Sequence, residues 1–402
     1  MKNSILNIAL AFAGVAALSS CSDFLDKAPK EELSDASFWK SSTDAEMYIS
    51  DMYNSLGWSA DEAINTDDAT MGIKWAAGNE SKGVYDPSDY GWKTSYTYIR
   101  EANLALEKLP TVEMDDATRQ KLEGQAYFFR GYLYWDLIRS FGSVPYIDKP
   151  LTLSDLNNTE QSSREDVYAK AMADLDKAIA SLPEEWDAAN YGRITKGAAR
   201  AIKMRAAMYY GDNQTAANEA KAIMDAGECF PTLGWGGMDP TQDLVDAFED
   251  KDGSPIYESS AAGVVARDNN GNPTARQLSQ IFDPANPFAN RDPRLEVNVL
   301  HDGEVMYGTT IKVAPLASSG NTGIGRHGDA TETGYYQQKW LDPAIDPAST
   351  GWDMGKDYIL IRYAEVLLTY AEAMNNLNPL CQEAFDAVNK VRARVGMPAL
   401  QK

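Results

Sequence analysis

The chain has few of the residues that carry metal, redox or nucleophilic chemistry. Its 402 residues include three cysteines, Cys21, Cys229 and Cys381, and two histidines, His301 and His327. The cysteines lack the clustered spacing of a zinc site, two histidines leave little for a nucleophilic triad, and no GxSxG motif occurs. We therefore expect no metal site, no cofactor and no catalytic residues. A single disulfide, Cys229 to Cys381, is chemically possible, but the two positions fall in differently organised regions.

Basic residues are also scarce. The chain has 37 lysines and arginines against 59 aspartates and glutamates, a net charge of -22 at pH 7. Binding to nucleic acid or to anionic lipid through the protein surface requires a basic footprint. The charge balance therefore excludes nucleic acid as a partner, and general solvation is the simplest role for the acidity. The 44% hydrophobic content suffices for one large or two ordinary domains.

Long apolar runs are absent, with one short exception near the N-terminus. Residues 5–18 (ILNIALAFAGVAAL) follow a lysine and are interrupted by one asparagine, and they are fewer than the about 20 residues that span a bilayer. This pattern is typical of a secretory signal peptide, which we place at residues 1–20; a buried N-terminal helix is the alternative. The sequence LSSC, ending at Cys21, resembles a bacterial lipobox, so we expect acylation of the Cys21 thiol and anchoring without a transmembrane helix.

A recurring pattern predicts helices that pack closely in pairs. Small and large residues follow one another at offsets 0, 3, 7 and 10 in three places: Gly124, Tyr127, Gly131, Tyr134; Ala199, Ile202, Ala206, Tyr209; and Ala364, Leu367, Ala371, Met374. Small residues on one helix face allow a partner helix to approach, and after two of these helices a turn leads to an alanine-lined partner. Such units resemble tetratricopeptide repeats at irregular intervals, with an ordinary helical bundle as the alternative. We predict a mainly α fold, in which tetratricopeptide-like hairpins form an α-superhelical scaffold.

Two further helices are predicted from local signals. Residues 31–56 contain apolar residues near helical spacing, and Thr43–Glu46 resembles a capping box. The helical period returns from Tyr96 to Leu109, where Pro110 ends it.

The character of the chain changes in its C-terminal half. Ten of the 18 prolines lie between Pro231 and Pro347, so this stretch is predicted to consist of loops and short strands. Leu295–His301 and Val305–Val313 are the candidate strands. A long irregular insertion on a helical scaffold is a common place for a binding surface.

Two short motifs in this stretch are turns by their context. Gly323–Gly328 spells GxGxxG, but no strand precedes it and no helix-forming sequence follows, as a dinucleotide site requires. Asp268–Gly271 lacks the spacing and terminal glutamate of a calcium-binding EF-hand.

Aromatic residues are frequent in segments rich in Gly, Asp and Asn. Flat rings among hydrogen-bonding residues stack on the apolar faces of sugars and also suit peptides, although any single ring can instead pack within its own loop. Trp92 and Trp135 neighbour helical blocks and are assigned to the scaffold. The tentative ligand-binding residues are Trp75, Trp340, Tyr336 and Trp235.

Several segments together resemble the SusD/RagB family of outer-membrane lipoproteins of Bacteroidetes-type bacteria. The segments, in order, are the lipobox with SDFLD after Cys21, YIREAN at Tyr98–Asn103, the aromatic helix Gly124–Leu137 with FGSVP at Phe141–Pro145, RDPRL at Arg291–Leu295, DYILIRYAEVLL at Asp357–Leu368, and VNKVRARVG at Val388–Gly396. The resemblance covers nearly the whole chain after Cys21.

The resemblance implies a surface-exposed, lipid-anchored protein of the cell outer membrane with four irregular tetratricopeptide-like units. It would capture oligosaccharides without catalysis and deliver them to a SusC-like TonB-dependent transporter. A RagB-like peptide receptor, a surface glycosidase and a purely structural partner of the transporter are the alternatives.

The resemblance also suggests how the chain is divided. We predict a signal peptide (1–20), an N-terminal helical region (21–228) and a C-terminal region (229–402) with a loop-rich insertion at about 231–350 and a terminal helical hairpin. Members of the family usually continue past the VNKVRARVG helix, so the chain is either a short member or a truncated sequence.

Overall fold

The helical content agrees with the prediction of a mainly α fold. The computed structural model describes residues 38–56, 69–71, 83, 86–87, 90–152, 154–155, 159–226, 238–261, 263–313, 331, 333–339, 341 and 361–402. The helices in these ranges are α1 (Ser42–Asp51), α2 (Trp92–Lys108), α3 (Asp116–Phe141), α4 (Arg164–Ser181), α5 (Lys196–Tyr209), α6 (Asn213–Ala226), α7 (Gln242–Ala247), α8 (Pro293–Asn298), α9 (Tyr363–Leu377) and α10 (Gln382–Ala393). Among these helices, none combines the length and the hydropathy needed to cross a membrane.

The long helices stack in series. Each of α2, α3, α4 and α5 packs against the next, α6 packs against α9, and α9 against α10, while α1 lies against α2 and α3. The largest core cluster runs through this stack and includes Phe129, Leu175, Met204 and Ile223, all at most 1% exposed. Serial packing of helices, each against the next, is the architecture of α-solenoids and agrees with the tetratricopeptide-like prediction.

Glycines in α3 allow α4 to approach closely. A Cβ atom added at Gly131 would lie 3.0 Å from the backbone oxygen of Ala171 and 3.0 Å from Cγ of Leu175, and one added at Gly124 would lie 2.9 Å from Cβ of Ser181. Such distances leave no room for a larger side chain without movement of the partner helix. The small positions in the predicted pattern therefore lie at a helix contact, as expected.

A buried polar network joins α2, α3 and α4. Arg130 on α3 donates to both carboxylate oxygens of Asp174 on α4, at 2.7 and 2.8 Å, and to Oδ1 of Asn103 on α2 at 2.8 Å. The Asn103 amide in turn donates to the backbone oxygen of Ile147 at 2.9 Å. Because the charged groups of Arg130 and Asp174 are almost fully buried, their pairing is what makes their burial tolerable. The YIREAN motif thus has a structural role in holding the chain that follows Phe141.

A second pair connects helices that are distant in the chain. Arg205 on α5 donates to both carboxylate oxygens of Glu365 on α9, each at 2.8 Å. The bidentate geometry fixes the relative orientation of these two helices.

Helix starts differ from the predictions by a few residues. Ser41, and not Thr43, caps α1: its hydroxyl accepts from the Asp44 N–H, and the Asp44 carboxylate accepts from the Ser41 N–H at 2.9 Å. The capping pair is thus S-x-x-D, two residues upstream of the predicted box. Helix α2 begins at Trp92, four residues before the predicted Tyr96.

The loop-rich part, which is the segment at about 231–350, contains short strands that pair antiparallel with one another or, in one case, with a strand from the N-terminal half. These are β1 (Ala69–Met71) with β2 (Met238–Pro240), β3 (Val299–Leu300) with β6 (Tyr336–Gln337), and β4 (Val305–Met306) with β5 (Thr309–Thr310). The predicted strand Leu295–His301 is wrong over most of its length, because Asp292 caps α8 and Pro293 occupies its first turn. The predicted strand Val305–Val313 is a hairpin instead, since Tyr307 and Gly308 both have positive φ and form a tight turn.

Candidate functional site

Three distant parts of the chain meet at the short strands. In the β1–β2 ladder Ala69 faces Pro240 and Met71 faces Met238. Strand β2 also lies beside β6, which pairs with β3 through Tyr336 opposite Leu300. The segments around residues 70, 239 and 336 are therefore brought together, although more than 90 residues separate each from the next.

The predicted ligand-binding residues belong to these segments. Trp75, Trp235 and Trp340 lie outside the described residues, as does Cys21. Trp75 follows β1 by four residues, Trp235 precedes β2 by three, and Trp340 follows β6 by three. Because β1 and β2 are antiparallel, the chain leaves toward Trp75 and arrives from Trp235 at the same end of the ladder.

Tyr336 is half-buried in its own region. Its hydroxyl accepts from the backbone N–H of Thr331 at 3.1 Å, and its ring packs on a cluster that includes Met306 and Ile311. Tyr335 is also half-buried: its hydroxyl donates to Oε1 of Gln242 at 2.6 Å, and burial raises its pKa. Both rings therefore use part of their surface for packing contacts with neighbouring loop residues.

Exposed aromatic rings among the described residues lie on the helical stack. Tyr191 is 73% exposed, Tyr209 54% and Trp92 37%. Trp92 contacts the rings of Tyr96 and Phe141, at centroid distances of 4.9 and 5.0 Å. Trp92 was assigned to the scaffold and Tyr209 to a helix contact from the sequence, and Tyr191 was not singled out, so none of the three was predicted to bind ligand. The signal that would have found them is an aromatic residue at a position outside the apolar face that each helix buries.

Trp135 supports the scaffold, as predicted. It is 4% exposed, and the guanidinium of Arg139 lies 5.4 Å from the centre of its ring. Cys381 is buried at the start of α10, while its candidate partner Cys229 lies outside the described residues.

Buried charged residues organise the base of the loop-rich part. Arg291 donates to the backbone oxygens of Pro287, Val245 and Phe248, at 2.8, 2.6 and 2.8 Å. Its neighbour Asp292 caps α8 through the Arg294 N–H at 2.9 Å. Burial acts to raise the pKa of Asp292, but hydrogen bonds from Arg294 outweigh it, so the pKa lies below its usual value. The buried Arg291 and Asp292 of the RDPRL motif therefore hold the nearby backbone in place, and their charged groups are used in these hydrogen bonds.

One group of side chains within the described ranges has the composition of a metal site. Glu296, His301 and Glu304 each offer a ligand atom, and these atoms lie within 4.8 Å of one another. No spacing in the sequence had indicated this group.

The comparisons with known proteins identify the family. Residues 200–402 match the model of the SusD family, and residues 23–208 match a second model, described as starch-binding and associating with the outer membrane. The chain therefore belongs to the SusD family. A SusD-like protein of Formosa agariphila, P2, is 26% identical over 411 residues, which cover 94% of this chain and 79% of that protein.

Solved structures of SusD-like proteins share the fold. One from Bacteroides fragilis has a TM-score of 0.76 at 25% identity and covers 94% of this chain and 83% of that chain. Another from Bacteroides fragilis, described as carbohydrate-binding, has a TM-score of 0.71 at 21% identity, with 91% and 81% covered. A laminarin-binding SusD-like protein has a TM-score of 0.59 at 21% identity, with 90% and 86% covered.

Proposed function

We propose that this protein is a non-catalytic glycan-binding lipoprotein of the cell outer membrane, which captures oligosaccharides and delivers them to a SusC-like TonB-dependent transporter. Membership of the SusD family and the starch-binding, outer-membrane description of the second family model support this proposal. Carbohydrate-binding and laminarin-binding proteins among the structural neighbours support the ligand class.

The observation that carries the ligand-binding part is the convergence of β1, β2 and β6. Covalent geometry keeps the Cα atoms of Trp75 and Trp235 within about 14 Å of the Met71–Met238 end of the ladder. Trp340 is only three residues beyond β6, which lies beside that ladder. Three tryptophans and Tyr336 within reach of one another would form a surface on which several sugar rings can stack.

Membrane attachment would come from acylation at Cys21, with palmitoyl-type chains holding the protein at the outer leaflet. Several acyl chains anchor a protein stably, because each buried CH₂ contributes about 0.8 kcal/mol. Changing Cys21 to Ser should move the protein from the membrane fraction to the soluble fraction, and protease added to intact cells should cleave the wild-type protein if it faces the exterior.

Native gel electrophoresis in gels containing starch, laminarin or other polysaccharides tests ligand binding. The soluble chain from Ser22 onward should be retarded in at least one gel, and Trp75→Ala or Trp340→Ala should weaken binding by about 1–3 kcal/mol, as for other aromatic anchors. Tyr191→Ala removes a 73% exposed ring from the helical stack and should leave retardation unchanged.

Other outcomes would point to the alternatives. Shortening of a labelled oligosaccharide by the protein would identify a glycosidase, and binding to a peptide panel without retardation in any polysaccharide would identify a peptide receptor. A folded sample that binds neither class of ligand would contradict capture and leave a structural role beside the transporter.

A further inference from the structure

The loop-rich part brings together three side chains that a linear pattern does not connect. Glu296 lies on α8, His301 directly follows β3, and Glu304 precedes β4. Helix α8, the β3 strand and the turn at Asp302 and Gly303 fold these residues onto one side, where their ligand atoms lie within 4.8 Å of one another. The expectation of no metal site was based on the spacing of cysteines and the number of histidines. Neither of these shows that the fold brings a histidine and two glutamates together.

The ring of His301 is held in a fixed orientation. It stacks on the ring of Phe288, with centroids 3.5 Å apart and planes 9° from parallel. Its Nδ1 lies 3.1 Å from the backbone oxygen of Asp302. Because a carbonyl oxygen only accepts, this contact favours the tautomer with the proton on Nδ1 and a lone pair on Nε2. A backbone carbonyl on the other ring nitrogen is a common way to orient metal-binding histidines.

The second ring nitrogen is buried and aimed at carboxylates. Nε2 of His301 has no hydrogen-bond partner among the described residues, although burial of a polar nitrogen is unfavourable without one. Oε2 of Glu304 lies 3.7 Å from it. That oxygen also accepts from the backbone N–H of His301 at 2.8 Å, which holds the carboxylate in place.

The separations suit a small divalent cation. With bonds of about 2.0–2.2 Å, two ligands of a tetrahedral site lie roughly 3.5 Å apart. The His301–Glu304 pair is already close to this value, and the exposed side chain of Glu296 is free to rotate toward it. One imidazole nitrogen with two carboxylate oxygens suits zinc and its neighbours in the first transition series better than calcium or magnesium, which take oxygen ligands.

We propose that Glu296, His301 and Glu304 form a binding site for a zinc-class divalent cation. Three protein ligands leave a coordination position for water or another ligand. The cation would join α8 to β3 and to the turn before β4. Since β3 pairs with β6, the site would stabilise the strands around Tyr336. This inference does not depend on the proposed function.

Calorimetric titration of the metal-free soluble chain with Zn²⁺ tests the proposal. One equivalent should bind, and His301→Ala and Glu296→Gln should each lower the affinity at least about tenfold, as changes around metal ligands do. Glu296 is exposed, so its variant should fold normally. His327→Ala and Glu258→Gln are matched controls outside the group and should bind Zn²⁺ like the wild type. Co²⁺ should give the visible absorption of a four- or five-coordinate site, lost in His301→Ala.

Three results would overturn the proposal. Failure of Zn²⁺ to bind the folded wild-type chain would show that His301 and Glu304 form only an ion pair when the imidazole is protonated. Equal affinity in the wild type, His301→Ala and Glu296→Gln would show adventitious binding to the acidic surface. Binding of Ca²⁺ as tightly as Zn²⁺, unaffected by His301→Ala, would show that the imidazole is not a ligand.

Discussion

The helical stack and the loop-rich part are held together by different means. In the stack, apolar helix faces meet at glycine and alanine, and the ion pair of Arg130 and Asp174 is almost fully buried. In the loop-rich part, buried side chains bond to nearby backbone: Arg291 donates to three carbonyl oxygens, and the Thr331 hydroxyl donates to that of Tyr335. Damage to the first kind of contact should spread through the helices, whereas damage to the second should stay local.

The largest expected effect is the loss of the Asp174 charge. Asp174→Asn should lower the free energy of unfolding by about 4 kcal/mol, because the buried Arg130 would lose its counter-charge. Asp176→Asn, two residues further on the same helix, removes a 60% exposed partner of Lys203 and should cost less than about 1 kcal/mol. Denaturant unfolding of both variants measures the difference. Equal effects would contradict the view that burial of the pair decides its contribution.

Arg291→Met should act locally in the loop-rich part. Three backbone oxygens would lose their donor, at a cost of about 2–3 kcal/mol. Hydrogen exchange should accelerate in residues 241–300 while the helices α3 to α6 keep their protection. Arg276→Met, which removes a 71% exposed side chain 3.5 Å from Glu258, should change neither. Faster exchange throughout the helices would show that the two parts unfold as one unit.

Gly131→Ala tests the close approach of α3 and α4. Alanine is the better helix former by about 1 kcal/mol, but its Cβ would meet the Ala171 backbone oxygen, so we expect a net loss of about 1–2 kcal/mol. Gly124→Ala would place its Cβ 2.9 Å from Cβ of Ser181, an atom that moves only with the backbone of α4, and should destabilise to a similar extent. Thermal unfolding of both variants measures these losses. A stabilised Gly131→Ala protein would show that α4 shifts freely.

The smallest effect concerns pH. Burial and the nearby Asp51 charge raise the pKa of Glu101 to about 7 from the ordinary 4.5. The folded protein therefore holds this proton more tightly than the unfolded chain, and its stability falls as the pH rises from about 4.5 to 7. Glu101→Gln should remove this fall and gain about 1 kcal/mol at pH 8, a value reduced for partial exposure. Unfolding curves at pH 5 and 8 measure it.

Glu107→Gln is the control for the pH experiment. It removes a 53% exposed carboxylate from the same helix and should keep the pH profile of the wild type. A Glu101→Gln protein with an unchanged profile would mean that another group titrates in this window.

The helical stack was predictable because its determinants are local and periodic. The small and large residues of Gly124–Tyr134 repeat along one helix face, and their spacing alone indicates a close partner. The first residues of the helices were less well predicted. Thr43 and Ser41 are both suitable N-cap residues, and the choice depends on which carboxylate accepts the hydrogen bond from the backbone N–H of the cap residue. The predicted strand that starts at Leu295 was wrong because Asp292 and Pro293, just before it, begin a helix.

The site depends on contacts between distant residues. Pairing of Met71 with Met238 joins segments 167 positions apart, and no local pattern in either segment specifies its partner. Glu296, His301 and Glu304 lie within nine positions of one another, but their ligand atoms meet only because α8, β3 and the turn at Asp302 and Gly303 place them on one side. The selection of Trp75, Trp235, Trp340 and Tyr336 stays a prediction.

The ion pair between Arg205 and Glu365 joins α5 directly to α9, so the helices on either side of residues 227–362 hold each other. This has an evolutionary consequence. The chain leaves the stack after Ala226 and re-enters it at Tyr363, where α9 packs directly on α6. The intervening stretch is thus an excursion whose two ends are fixed by the helices. Closing a longer excursion costs little, about 0.6 kcal/mol for each doubling of length. Insertions, deletions and exchanges within it would leave the stack intact, so relatives can diversify what they recognise while inheriting one frame.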